Sequence, residues 1–401
     1  MRLASVRIRH YKSLSDIEFQ DIQPLTVLVG CNGVGKSNIT DALRFLRDAV
    51  TEGLDHAVSK RGGIALIRQY SPTKPYRISF DFSFEEYGQE EQIFVSKYHL
   101  SLTSLREGNF RVEQETCEWH QEVFVENEEK EDWETEFKKL QFLRDASGKL
   151  TVDGAEDSRP LAPDSLALGK RVVMSNFAYN RLGQPLVGFI SECRFSSIYP
   201  NTLRAPTHPD TDPTLKENGE NWASIIRAMR KTSRGKQALE QIKEMMSVVM
   251  PQLEDITTRA VGSFVFPQFK VRESNGDAHY FDPSQISDGT LRVLGILLAL
   301  YHTPHPSLMV IEEPEQTVNP ALLALLADAF REASERTQLL ITSHSPYLVD
   351  LFNPDNIRVI TMSNGETSVS PIRKSQREAV KEHLLSLEQI MSSEGLLPEE
   401  E

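Results

Sequence analysis

Three cysteines (Cys31, Cys117 and Cys193) are scattered through 401 residues with no C-x-x-C pair among them. That spacing excludes a disulfide framework and a zinc site built from thiolates, and a reduced cytoplasmic compartment follows as the default. No hydrophobic run is long enough to span a membrane. Residues 1–12 carry no signal-peptide pattern, because Arg2, Arg7 and Arg9 interleave with apolar residues at strand spacing. No repeat recurs and no heptad pattern persists over several turns, which excludes a long coiled coil. Basic charge is not in excess either: 44 Lys and Arg against 58 Asp and Glu give a formal net charge of −14. Such a balance does not announce nucleic-acid binding, although a local basic groove could survive it. The length suffices for two or three domains with ample core.

What the sequence does contain is the octapeptide Gly30-Cys-Asn-Gly-Val-Gly-Lys-Ser37, a match to the phosphate-loop pattern G-x-x-x-x-G-K-[S/T]. Gly30, Gly33 and Gly35 let backbone N–H groups turn inward around a polyphosphate, because no Cβ blocks the bend. Lys36 supplies a point charge for the β and γ phosphates, and Ser37 offers its hydroxyl to Mg²⁺. Asn32 and Asn38 lie on the same loop and helix start and join the candidate nucleotide contacts. Residues 24–29 read as a buried strand and residues 37–46 as a helix. Strand, glycine loop and helix aim the helix N-terminus and its dipole at the phosphates.

Elsewhere the pattern is mixed α/β. Residues 3–9 and 16–20 read as strands joined by a turn over residues 10–14, and residues 76–84, 93–102 and 110–119 alternate as an antiparallel sheet appended to the nucleotide-binding core. The acidic stretch Glu126–Glu136 reads as a solvated loop or helix edge, and residues 147–165 and 200–213 as irregular loops. Residues 222–249 return to helical spacing. The expected division is an N-terminal lobe over 1–125, an inserted, partly helical middle region over 126–275, a C-terminal lobe over 276–375, and an amphipathic helical tail over 376–401 with Val380, Leu384, Leu387 and Met391 on one side.

A phosphate loop needs an acidic partner for Mg²⁺ and a base to activate water, both at the carboxyl end of a buried strand. Leu308-Met-Val-Ile-Glu-Glu-Pro-Glu315 fits: Glu312 belongs to the magnesium shell, and Glu313 points at the γ-phosphate as general base. Ile341-Thr-Ser-His-Ser-Pro346 ends another strand with His344, an imidazole suited to sensing the γ-phosphate. Gln285-Ile-Ser-Asp-Gly-Thr-Leu291 opens a helix that Ser287 or Asp288 can cap and where Gly289 permits close backbone approach, an anion-binding N-terminus.

In this order, I-R-H-Y-K-S-L, G-C-N-G-V-G-K-S, S-D-G-T, I-E-E-P-E and T-S-H-S-P resemble the head of ABC-type ATPases. More narrowly they resemble the RecF/SMC-like branch and the AAA-domain proteins related to OLD-family ATPases. The resemblance implies an α/β P-loop ATPase head with the appended antiparallel subdomain and the mostly helical insertion. It further implies ATP and Mg²⁺ as cofactors and a homodimer that sandwiches ATP, so that Ser287 and Gly289 would contact nucleotide in trans. Lys12 matches a basic position that reaches the phosphates in relatives, and Gln69 is the nearest candidate for the glutamine that senses magnesium. One departure stands out: relatives often carry Asn-Gly-x-His after E-E-P-E, whereas this chain has Gln316-Thr317-Val318-Asn319.

Residues 347–401 are too few for the nuclease domain of OLD proteins and hold no carboxylate cluster. The expectation is therefore an ATP-hydrolysing switch, motor or scaffold, a homodimer or higher homo-oligomer, for a separately encoded effector such as a nuclease, in anti-phage defence or DNA repair, with DNA as a conceivable partner and no membrane. The alternatives are a nucleotide-clamped scaffold that does not hydrolyse, and a RecF-like DNA-binding loader.

Overall fold

A computed structural model describes residues 1–69, 77–87, 93–127, 132–152, 155–156, 160–175, 177–212, 214–272 and 276–399. The chain folds into two compact units. The first is built from Met1–Gln23, Cys31–Cys193 and Ile360–Ser370; the second from Pro24–Gly30, Arg194–Val359 and Pro371–Glu401.

The first unit is organised by an antiparallel sheet. The chain enters through β1 (Arg2–Tyr11) and β2 (Leu14–Phe19), leaves for β3 (Leu25–Val29) in the second unit, and returns as β4 (Arg77–Tyr87), β5 (Ile93–Ser104), β6 (Phe110–Asn127), β7 (Asp132–Arg144), β8 (Leu150–Val152) and β9 (Ala155–Glu156). Sheet order is β2-β1-β4-β5-β6-β7-β8-β9. Period-two alternation drives it: Phe80, Phe82 and Phe84 are buried on one face, in a stack with ring centroids 6.4 Å apart. The helix Lys36–Thr51 lays Phe45 on Phe80 at 5.3 Å, while Tyr11 meets Phe80 at 5.5 Å.

Charged groups fix the same helix. Asp41 accepts hydrogen bonds from Tyr11 Oη (2.7 Å), Lys12 Nζ (2.5 Å) and Arg61 Nε (3.0 Å), and Arg61 also reaches the fully buried Asp48 (3.1 Å). Burial alone would raise the Asp41 pKa; the Lys12 and Tyr11 hydrogen bonds and the Arg61 charge outweigh it and hold the carboxyl below its ordinary value. A group depressed in this way contributes stability above its unfolded pKa, which is lost as pH falls through the folded value. Asp41→Asn is therefore expected to destabilise the chain by about 2 kcal/mol at neutral pH, since it weakens charged hydrogen bonds to Lys12 and Arg61, of which Arg61 keeps Asp48. The gap between variant and parent in urea midpoint should shrink below about pH 4, the range in which an aspartate titrates; a gap that is constant with pH would contradict this role.

Sequence expectation and structure part at the acidic stretch. The residues expected as a loop or helix edge enter the sheet instead, β6 running to Asn127 and β7 beginning at Asp132 in register Asn127↔Asp132. Residues 128–131 lie outside the described residues. The signal was present: Trp133, Thr135 and Phe137 alternate with Glu134 and Glu136, a period of two that the run of charge disguised.

The second unit carries a parallel sheet in the order β10 (Arg194–Ser196), β14 (Leu308–Glu312), β15 (Gln338–Ser343), β3 and then β16 (Ile357–Ser363), whose first three residues pair with β3. Its central strands are apolar on both faces, as a sheet covered on both sides requires. The helix Asp288–Tyr301 is buried continuously from Leu291 to Tyr301, and helix Leu323–Ser334 joins the same core. A separate antiparallel sheet of β11 (Leu253–Val261), β12 (Phe264–Arg272) and β13 (Ala278–Phe281) precedes the helix Asp288–Tyr301.

The helical spacing over 222–249 is met by two helices, Trp222–Met229 and Ser233–Val249, parted where Thr232 caps the second through Gly235 N (3.0 Å) and a Cβ at Gly235 would lie 2.3 Å from the Met229 carbonyl oxygen. One helical expectation is corrected. The expected tail helix is likewise two, Lys374–Lys381 and Leu387–Ser393, separated by left-handed His383 (φ 58°) and the Ser386 cap. Leu384 is accordingly 68% exposed, while Leu387 and Ile390 are buried. The hairpin of β16 with β17 (Glu366–Pro371) returns to the first unit. Among the described residues no helix is long and apolar enough to cross a membrane.

Candidate functional site

In the first unit, the loop after β3 is shaped by left-handed glycines, Gly33 (φ 84°) and Gly35 (φ 106°). A Cβ at Gly33 would meet nothing within 4 Å, so that bend faces open space; one at Gly35 would collide with Thr367 Oγ1 at 2.5 Å. Thr367, on β17, donates its hydroxyl to Val34 O (2.9 Å) and lies 3.2 Å from Ser13 Oγ, which in turn accepts from Asn38 Nδ2 (2.7 Å). Gly35 caps helix Lys36–Thr51 with no side-chain cap and no acidic residue in the first turn, so no side chain offsets the helix dipole at this end. Lys36 is 5% exposed and donates to Cys31 O at 3.0 Å, inside the loop's own curve. Asn32, Gly33 and Ser37 are exposed. A concave run of glycine backbone, one buried ammonium and an uncapped helix start fit a polyphosphate.

Two further candidates have partners of their own. Lys12, left-handed at φ 50°, is bound to Asp41 rather than standing open. Gln69 donates from Nε2 to Ser15 Oγ (2.6 Å), and its amide donates to His10 O (2.8 Å), so it lies on the turn that carries Lys12.

In the second unit, strand register does the assembling. Glu312 pairs with Thr342 across β14 and β15, and Ser343 pairs with Val29 across β15 and β3, so Glu313, His344 and Gly30 all emerge at one carboxyl edge. Glu313 turns the corner in the left-handed region (φ 46°), its N–H held by Thr342 O (3.0 Å) and Thr342 Oγ1 (3.2 Å). Its carboxylate accepts from Gln316 Nε2 and lies 3.5 Å from His344 Nδ1. Glu315, its side chain 7% exposed, accepts from Ser343 Oγ (2.7 Å) and His344 N (3.0 Å) and stands 3.6 Å from His344 Nδ1. The imidazole is thus flanked by two carboxylates, and its backbone is pinned by one of them. Glu312 is partly buried at the strand end and offers an oxygen donor of the type magnesium accepts.

Helix Asp288–Tyr301 begins as expected, Ser287 capping it through Thr290 N (3.2 Å). Asp288 instead pairs with Arg204 (2.5 Å), whose NH2 also donates to Ile286 O (2.8 Å). Thr367, Ser13, Asp41, Thr342, Glu315 and Arg292 were not singled out by the sequence reading. Arg292 alone carried a usable signal: it is the one charge in the apolar run Leu291–Tyr301.

Comparison with curated proteins finds no significant match. Among solved structures, the chain is similar to an Smc head bound to the C-terminal winged-helix domain of ScpA (12% identity, 94% of this chain and 99% of that chain, TM-score 0.54). It is also similar to the Smc head domain with an extended coiled coil bound to the C-terminal domain of ScpA from Pyrococcus furiosus (11% identity, 96% and 99%, TM-score 0.53). At such identities the likeness establishes the fold, a P-loop ATPase head of the SMC kind. Residues 25–350 match the family described as "AAA domain, putative AbiEii toxin, Type IV TA system", and the chain belongs to that family of nucleotide-binding ATPases.

Proposed function

We propose that the chain is an ATP-hydrolysing head of the RecF/SMC-like branch, related to OLD-family ATPases, which dimerises on ATP and acts as a switch or scaffold for a separately encoded effector in anti-phage defence or DNA repair. The observation that carries this reading is the Glu313 corner: a carboxylate held in a left-handed conformation by two Thr342 oxygens, with His344 beside it. A protein that only clamps nucleotide has no use for a base fixed at such expense.

In this reading Gly30, Asn32, Gly33, Gly35, Lys36, Ser37 and Asn38 hold ATP, and Ser37 and Glu312 hold Mg²⁺, with Gln69 on the turn where a sensor would act. Bound Mg²⁺ would neutralise charge on the transferred phosphate. Glu313 orients water and takes its proton, and His344 donates toward the γ-phosphate while Glu315 fixes its backbone. Ser287 and Gly289 face the nucleotide of the second copy. Lys12 serves chiefly to anchor its turn to Asp41 and would reach phosphate only on release from that pair. The ScpA domains named with the Smc heads support a partner protein docking on such a head.

Mass in solution tests the dimer. With a non-hydrolysable ATP analogue and Mg²⁺, light scattering should report twice the mass found with ADP. A mass indifferent to nucleotide, together with no phosphate release from ATP, would defeat the proposal.

A further inference from the structure

Arg292 is an expensive residue where it stands. It lies on the helix Asp288–Tyr301, is 2% exposed, and its Nε and Nη1 have no hydrogen-bond partner among the described residues. An apolar side chain of similar size would serve packing better. What the guanidinium does is specific: NH2 donates to two consecutive carbonyls, Glu312 O (3.1 Å) and Glu313 O (2.9 Å), at the corner that aims the Glu313 carboxylate. Its other face lies over the Tyr199 ring, 5.4 Å from the centroid.

The same helix touches this segment a second time. A Cβ on Gly289 would lie 2.8 Å from Thr317 O, so the helix start rests directly on that carbonyl. Thr317 is itself left-handed, at φ 64°. The stretch Glu313–Thr317 therefore has a strained corner at each end, is cross-tied by Gln316 to Glu313, and is met at both corners by one helix.

The geometry points to Arg292 as a positioning residue that couples the Ser287–Gly289 helix start to the placement of the Glu313 carboxylate within one subunit. This rests on the reading above, in which that helix start meets the second copy's nucleotide and Glu313 acts on its own. Engagement of the helix then sets the base on the same subunit through two short contacts, and a displacement of about 1 Å at Glu313 is enough to change turnover about a hundredfold.

The test uses the full chain with Arg292→Lys, which keeps the charge but replaces the planar fork with a single ammonium, and Arg292→Gln, which removes the charge. Steady-state ATPase, affinity for a fluorescent ATP analogue and thermal midpoint are read together. For Arg292→Lys, kcat should fall about tenfold with analogue affinity within twofold and the midpoint nearly unchanged; Arg292→Gln should fall further, and Arg292→Lys decides if Arg292→Gln does not fold. Combined with Ser287→Ala, the losses should be clearly less than multiplicative, which a merely structural role would not produce. An unchanged kcat, a rise in KM alone, or multiplicative losses would overturn the coupling while leaving the ATPase reading intact. A parent chain with no turnover would overturn both.

Discussion

Replacing Glu313 by Gln is expected to lower ATP turnover by two to four orders of magnitude, the range associated with loss of a positioned general base, while leaving nucleotide affinity within a few-fold. The change is close to isosteric. The corner at φ 46° is held through backbone groups by Thr342 and Arg292, and the amide keeps a carbonyl oxygen for Gln316 Nε2. What disappears is proton affinity, so hydrolysis stops after ATP has been bound and the dimeric form accumulates. Single-turnover phosphate release and light scattering on one preparation check both halves. A variant that turns over at the parental rate would remove Glu313 from the chemistry and shift attention to Glu315, the other carboxylate beside His344.

Replacing Lys36 by Ala is expected to act earlier, on binding. The residue is 5% exposed and its Nζ lies within hydrogen-bond distance of the loop carbonyl of Cys31, so the ammonium is largely withdrawn from water and aimed into the curve where a polyphosphate would sit. Removing a buried, hydrogen-bonded charge from such an interface costs about 3 kcal/mol, or about a hundredfold in affinity. Calorimetric titration with ATP and Mg²⁺ measures it directly. Because Thr367, Ser13 and Asn38 hold the loop from the other side, its backbone should survive the change, and unaltered circular dichroism would separate lost binding from lost fold. Affinity equal to that of the parent would contradict the phosphate-loop reading itself.

The local elements of both candidate sites were legible because they obey short-range rules. A glycine loop between an apolar strand and a helix can be read from eight residues, and two glutamates after four apolar residues announce the end of a buried strand. The antiparallel sheet was legible as far as Trp119, where aromatic and polar residues alternate, and was lost where glutamates took the polar positions and looked like a solvated run. Apolar spacing also overlooks local interruptions: the tail read as one helix is broken by His383 and Ser386, and the helical stretch over 222–249 by Thr232 and Gly235. Thr367, Glu315 and Arg292 were hidden for a different reason. Their roles depend on partners 333, 28 and 20 residues away, and no periodicity encodes such pairings.

The left-handed backbone at Glu313 bears on how this chain can change over time. A non-glycine residue there carries a standing cost of about 1 kcal/mol or more, which glycine would not incur. Selection for stability alone would favour glycine at this corner, and laboratory screens for heat resistance should recover it in place of the acid. Copies of the chain released from the need to hydrolyse would drift the same way. Under the proposed role of Glu313 as general base, an acid kept at position 313 in a related sequence would signal that hydrolysis is still under selection, and glycine there would signal a head that only binds.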